Sequence, residues 1–142
     1  MKVIGKIDYI DLPEFGMENL AAKIDTGANR SSIHCSSIEH HLVDGQDSIS
    51  FEIPMIDGGK NIFHSNDFFK KKIRSSSGHV ENRYVIKTVV ILFGRSIKTS
   101  FSLTDRTEMK FPVLLGRKLL NSRFIVDVSQ ENLSFNLKKA AL

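Results

Sequence analysis

Asp25-Thr26-Gly27-Ala28 sets a carboxylate, a hydroxyl and a glycine in order at the end of an apolar run, Leu20-Ala21-Ala22-Lys23-Ile24. This order suits a hydrogen-bonded catalytic acid. It also suits an ordinary turn, because Asp, Thr and Gly are common turn residues. A lone carboxylate is a poor general base at neutral pH, whereas two carboxylates about 3 Å apart share one proton, so that one acts as base and the other as acid. The chain contains no second Asp-Thr-Gly. If Asp25 works in this way, its partner is Asp25 of another copy, supplied by a two-fold axis. An enzyme built on this tetrapeptide therefore implies a homodimer.

A second segment, Phe111-Pro112-Val113-Leu114-Leu115-Gly116-Arg117, reads as an apolar strand that ends in glycine just before a short helix, Arg117 to Asn121. Such a strand could back the Asp25 loop, with Gly116 admitting close backbone contact. It could equally be a core strand with a glycine at its helix entry.

The elements that must hold these residues are predominantly strands. Val3 to Ile10 and Leu20 to Ile24 flank the turn Leu12-Pro13-Glu14-Phe15-Gly16, and Ile49 to Ile53 alternates with period two between Asp44-Gly45 and Asp57-Gly58-Gly59. Tyr84 to Phe93 turns at Gly94-Arg95 into Ile97 to Leu103, which predicts a hairpin. Phe124 to Val128 and Leu133 to Leu137 predict a final strand pair around Ser129-Gln130-Glu131-Asn132. Short strands with one small helix near the C-terminus predict an all-β, closed barrel of six or more strands, formed by one domain over residues 1–142. Ser75-Ser76-Ser77-Gly78-His79 is the least packable stretch and is expected to form a mobile hairpin tip.

Composition narrows the chemistry. The 41% hydrophobic and 25% charged content is that of a globular chain, and no apolar run approaches the roughly 20 residues that span a membrane. The first residues lack the apolar centre of a signal peptide, which points to the cytoplasm; a leader removed upstream would leave the periplasm or secretion open. The single cysteine, Cys35, excludes an internal disulfide and reads as a small packed side chain, because its neighbour His34 points to the opposite strand face. Net charge is +4, with cations gathered in Lys70-Lys71-Lys72-Ile73-Arg74. That balance favours acidic substrates, and the run lacks the interleaved aromatics of a single-strand nucleic-acid platform.

Together, Asp25-Thr26-Gly27-Ala28 and Leu114-Leu115-Gly116-Arg117 resemble the retropepsin-like aspartic proteases, where the first motif carries the catalytic acid and the second packs behind it. The resemblance is closer to one bacterial branch, through Lys23-Ile24 before the motif, Ser31-Ser32-Ile33-His34, Ser76-Ser77-Gly78-His79, Arg83-Tyr84-Val85-Ile86, Leu103-Thr104-Asp105-Arg106, Met109 to Arg117 and Arg123-Phe124-Ile125-Val126-Asp127. It runs from about residue 3 to 137. That branch goes by the name ATP-dependent zinc protease and is similar to a factor associated with the ligase that adds glutamates to a ribosomal protein. The name has no support in the residues. There is no His-Glu-x-x-His, Glu39-His40-His41 has the wrong spacing, and no phosphate-binding glycine loop is present.

The resemblance implies that paired Asp25 carboxylates activate a water for attack on an amide carbonyl. Thr26 would tie the two loops together, Gly27, Ala28 and Asn29 would line the substrate, and Ser77, Gly78 and His79 would close over it as a flap. Arg30, His79 and Arg83 are candidates for binding acidic groups, including a glutamate-rich tail, since Arg pairs bidentately with carboxylates. Leu115, Gly116 and Arg117 would support the site. The retroviral pattern places Asp where this chain has Asn29, so Arg117 must find another partner or reach solvent. No metal, cofactor, membrane or nucleic acid is expected. The competing expectations are a non-catalytic partner-binding domain of the same fold, a nucleic-acid-binding barrel, and the zinc enzyme of the branch name.

Overall fold

The alternation in the sequence becomes twelve strands among residues 1–54, 60–74, 78–105 and 110–142, which the computed structural model describes. In chain order they are β1 (Lys2–Ile4), β2 (Ile7–Leu12), β3 (Met17–Ile24), β4 (Ser31–His34), β5 (Ser36–Val43), β6 (Gln46–Pro54) and β7 (Lys60–Ser65). Then follow β8 (Phe68–Arg74), β9 (Val80–Leu92), β10 (Arg95–Thr104), β11 (Val113–Leu115) and β12 (Phe124–Val126). Two helices, α1 (Arg117–Leu120) and α2 (Leu133–Ala140), lie on either side of β12.

The main sheet runs β10-β4-β11-β3-β2-β9-β8, and β9 also pairs with β10. That extra pairing joins six strands into a closed barrel and leaves β8 as a flange on the outer edge of β9. Closure leaves the six barrel strands without an open end of their own, so that β8 carries the exposed edge of this sheet. Inward positions fill the barrel with fully buried Ile10, Leu12, Ile33, Ile86, Phe101 and Leu115. A second sheet, β5-β6-β7, packs Phe51 and Phe63 edge-on or tilted around Phe15 of the 3-10 turn that links β2 to β3. The β9–β10 hairpin turns on Phe93 and Gly94, both at positive φ (54° and 69°), which matches the twist of the flanking strands.

The expected pairing of Phe124 to Val128 with Leu133 to Leu137 is not formed. β12 pairs in parallel with β1, and Leu133 to Leu137 belongs to α2, so the described residues hold two α-helices rather than the one expected. The cause is Asp8. In β2 the inward residues are Asp8, Ile10 and Leu12, and Asp8 is the polar member, 1% exposed. Its carboxylate accepts the backbone N–H groups of Ser134 (2.9 Å) and Phe135 (3.1 Å), the otherwise unsatisfied donors of the first turn of α2. Tyr9 then stacks edge-on against Phe135, with ring centroids 4.8 Å apart, and Ser134 Oγ accepts the Phe93 N–H. Asp8→Ala is expected to lower stability by about 3 kcal/mol, because it strands buried N–H donors and removes charge-assisted hydrogen bonds. The denaturant midpoint measures this, and loss of helical signal at low denaturant would follow undocking of α2.

The lysine-rich run is also more ordered than a plain solvated stretch. Phe68 to Arg74 forms β8, an exposed edge strand, and the long segment from Ile53 to Tyr84 holds β7 and β8. Of the expected flap tip, Ser75 to Ser77 lie outside the described residues, while Gly78 has φ +85° and His79 is exposed.

Candidate active site

β3 and β11 run in parallel with Leu115 opposite Ile24, so both strands end at the same level and deliver Asp25 and Gly116 side by side. The Asp25 N–H donates to the Leu115 carbonyl (2.9 Å), which fixes the start of the loop. Asp25 is half-buried, and its Oδ1 accepts the Gly27 N–H at 2.9 Å, closing an Asx turn that aims the carboxylate along the loop. The Ala28 N–H reaches the Asp25 carbonyl at 3.3 Å.

The loop is held from behind by α1. The Arg117 and Lys118 N–H groups donate to the carbonyls of Ala28 (2.8 Å) and Asn29 (2.9 Å). First-turn donors of a helix need such partners, and here the loop supplies them. Gly116 sits within this contact, its N–H donating to the buried Ser31 Oγ at 3.0 Å. A Cβ on Gly116 would stand 2.8–2.9 Å from the backbone of Ala28 and Arg30, so the close approach expected of this glycine is present. Arg117, which lacks an Asp at position 29, donates instead from its Nη1 to the Thr26 carbonyl at 3.1 Å. The guanidinium thus grips the tip of the same loop by backbone rather than by charge.

The loop divides two hollows. Thr26 and Asn29, with Arg117, Lys118, Leu120 and Phe124, line an open concavity of about 830 Å³. On the other side Ala28 and Arg30 join Ser32, His34, Arg83 and Thr104 in a smaller cavity of about 180 Å³. Arg30 is positioned there by its Nε donating to Ser100 Oγ (3.2 Å) and by its guanidinium lying 5.6 Å from the Phe69 ring. Arg83 comes from β9 and makes a long ion pair with Glu81 at 3.5 Å. Arg30 and Arg83, far apart in sequence, therefore meet in one cavity. His79 is not among its lining residues. His34, Ser32 and Thr104 are, and their place there escaped the sequence reading, because β4 and β10 come together only through the parallel pairing of Ser31 to His34 with Phe101 to Thr104.

Other candidates resolve into packing. Cys35 is 2% exposed, and burial pushes its thiol up to about 12, so it stays protonated and is no nucleophile. A zinc site does not fit the residues. His40 pairs with Asp47 at 3.0 Å, His41 with Ser50 Oγ at 2.8 Å, and among the described residues no three His, Cys, Asp or Glu side chains gather as ligands. Among the same residues, no helix is long and apolar enough to cross a membrane.

Comparison with known proteins agrees with this architecture. The model of the RimB-like family, described as retropepsin-like aspartic endopeptidase RimB, matches residues 3–135. Proteins named probable alpha-L-glutamate ligase from Shewanella halifaxensis and Desulfotalea psychrophila are 33% identical over 131 and 129 residues, which is 90% and 89% of this chain. The chain spans only 29% and 28% of the length of those two relatives. The crystal structure of a Legionella pneumophila protein of unknown function superimposes with a TM-score of 0.78 at 25% identity, covering 94% of this chain and 98% of that one. With its closed barrel, its Asp-Thr-Gly loop and the strand behind it, the chain belongs to the RimB-like family of retropepsin-like proteins.

Proposed function

We propose that the chain is one half of an aspartic peptidase, in which Asp25 and the Asp25 of a second copy hold a water between them and activate it for attack on an amide carbonyl. One carboxylate takes the water's proton while the other, protonated, donates to the carbonyl oxygen, and the leaving amine takes up a proton as the tetrahedral centre collapses. The observation that carries this reading is the construction of the Asp25 loop. It is pinned from below by Leu115, braced by the first turn of α1, and presents Thr26 and Asn29 to an open concavity of about 830 Å³. A second copy of the same loop is the occupant whose Thr26 would complete the site, and the two-fold axis would run through that hollow.

The scissile amide would lie at this axis, and the hollow on the other side of the loop would receive substrate side chains that flank it. Arg30 and Arg83 there supply forked donors suited to side-chain carboxylates. Relatives of this domain carry the name glutamate ligase, and a ligase that joins glutamates makes an acidic chain of the kind such a cavity would accept. Hydrolysis of acidic peptides by the purified protein, compared with Asp25→Asn, tests the mechanism, and sedimentation of the same preparations tests the dimer. Arg30→Ala and Arg83→Ala should each raise KM for an acidic peptide by about tenfold, the worth of one charge-assisted pair. Equal KM values for acidic and neutral peptides would remove the acidic-substrate part of this reading.

A further inference from the structure

The β8–β9 ribbon turns its two faces toward different parts of the molecule. Cross-strand partners share a face and neighbours along a strand alternate, so Phe69, Arg83 and Val85 lie on one side and Phe68, Lys70 and Tyr84 on the other. The first side meets the Asp25 loop, where Arg83 lines the small cavity and the Phe69 ring lies against the Arg30 guanidinium. Against the second side stands His40 of β5, its ring centroid 5.7 Å from that of Phe68 and 6.3 Å from that of Tyr84, edge-on to both. Phe68 and Tyr84 are themselves edge-on at 5.9 Å, so three rings from three strands form one cluster. His40 is aimed from within its own sheet. Asp47 of β6 lies diagonally across the hairpin, with its Oδ1 3.0 Å from the His40 Nε2. Lys70 reaches the same cluster, its ammonium 5.4 Å from the Tyr84 ring centroid, and Lys72 lies one period further along that face. Glu39 and His41, the neighbours of His40 on β5, point to the opposite face of their sheet and lie 3.6 Å apart.

We propose that His40 is a positioning residue for the cavity beside the Asp25 loop. Protonated and clamped by Asp47, it braces the β8–β9 ribbon through Phe68 and Tyr84, and so holds Arg83, the residue next to Tyr84, at the cavity on the far side. Histidine is the side chain that ordinarily changes its charge between about pH 5 and 8. An imidazolium donates to a carboxylate more strongly than the neutral ring does, and it is drawn to aromatic faces. Lys70 and Lys72 oppose the added charge. They lie beyond the Tyr84 ring and in solvent, however, whereas Asp47 is in direct contact, so the carboxylate decides the sign. A charged form stabilised by its partner holds below the group's titration and is lost as pH rises through it. The brace is therefore tight toward pH 5 and slack toward pH 8. Because the His40 and Asp47 side chains are 38% and 67% exposed, the effect is a few-fold one. Its consequence for substrate rests on the peptidase reading, whereas the brace itself does not.

NMR and hydrogen exchange test the brace without any turnover. Tyr84 is one of two tyrosines, so its ring signals are identified by their loss in Tyr84→Phe. In wild-type protein they should shift between about pH 5 and 8 with the same midpoint as the His40 ring. Amide exchange in β8, normalised for the chemical rate at each pH, should be about two- to fivefold slower at about pH 5.5 than at about pH 7.5. His40→Phe keeps a ring that cannot titrate and should show the same normalised rate at both pH values. Asp47→Asn should shrink the pH difference, and His40→Ala should speed exchange at both. With a peptide substrate, the ratio of wild-type KM to His40→Phe KM should rise about two- to fivefold over the same pH interval, while the ratio of kcat values stays level. Taking ratios cancels the titration of the Asp25 pair, which both proteins share. A wild-type pH difference that survives in His40→Phe overturns the proposal, as does β8 exchange unmoved by His40→Ala. A KM ratio that stays level across pH removes the positioning role. A brace that passes the exchange tests in a protein without any hydrolytic activity stands, and the peptidase reading falls instead.

Discussion

Under the proposed mechanism of paired Asp25 carboxylates, Asp25→Asn is expected to abolish amide hydrolysis while leaving the fold and the proposed dimer intact, with kcat falling by about 10³-fold or more. The replacement is close to isosteric, and the amide oxygen can still accept the Gly27 N–H that Oδ1 accepts at 2.9 Å. The brace from Arg117 and Lys118 to the Ala28 and Asn29 carbonyls involves only backbone groups and is untouched. What disappears is the shared proton. An amide can neither remove a proton from water nor hold one for the carbonyl at any working pH, so the pair loses both roles at once. Steady-state hydrolysis of an acidic peptide measures the effect. Mixed dimers of wild-type and Asn chains should be inactive as well, because the site needs both carboxylates. Activity in the Asn variant above about a tenth of wild type would sink the mechanism. Partner binding preserved without any hydrolysis in the wild-type protein would identify a scaffold instead.

The second large effect belongs to Gly116→Ala. The backbone of Gly116 is extended (φ −101°, ψ −177°), a conformation alanine adopts freely. The cost is therefore steric and local. The added methyl would lie 2.8 Å from the Arg30 carbonyl carbon, 2.9 Å from the Ala28 oxygen and 2.9 Å from the Arg30 oxygen. All three are backbone atoms and cannot swing aside. Relief requires pushing the 28–30 segment off α1, which breaks the donors from Arg117 and Lys118 and tilts the Asp25 loop. We expect a loss of about 3 kcal/mol, read as a fall in Tm of about 10 °C, together with a kcat reduced far beyond what the remaining folded fraction explains. A variant that keeps wild-type Tm and kcat would show that the loop and α1 separate easily, and would undo the view of this contact as the rigid base of the site.

The two segments that build the candidate site were legible in the sequence because each is contiguous. Asp25-Thr26-Gly27-Ala28 and Leu114-Leu115-Gly116-Arg117 each carry their type and order in one short segment. The barrel was legible for a similar reason in β2 and the second half of β9, where period-two burial is a local pattern, whereas in β6 and β10 buried residues run consecutively because both faces are covered. Asn29 in place of Asp left Arg117 without an assigned partner, and the sequence offered none, because a backbone carbonyl such as that of Thr26 has no residue type to read.

Tertiary structure decided the rest, and in each case a long-range contact overrode or completed a local pattern. Leu133-Ser134-Phe135-Asn136-Leu137 alternates like a strand, yet it is helical because Asp8, 126 residues before Ser134, supplies the acceptor its first turn needs. Arg30 and Arg83 meet because barrel closure brings the Asp25 loop under the β8–β9 ribbon. By itself the sequence determined which residues could do acid–base chemistry and that the strands would close around a core. Only the folded chain decided which cations stand beside that chemistry, because register and closure are set by the pairing of distant backbones and leave no mark on the residues between.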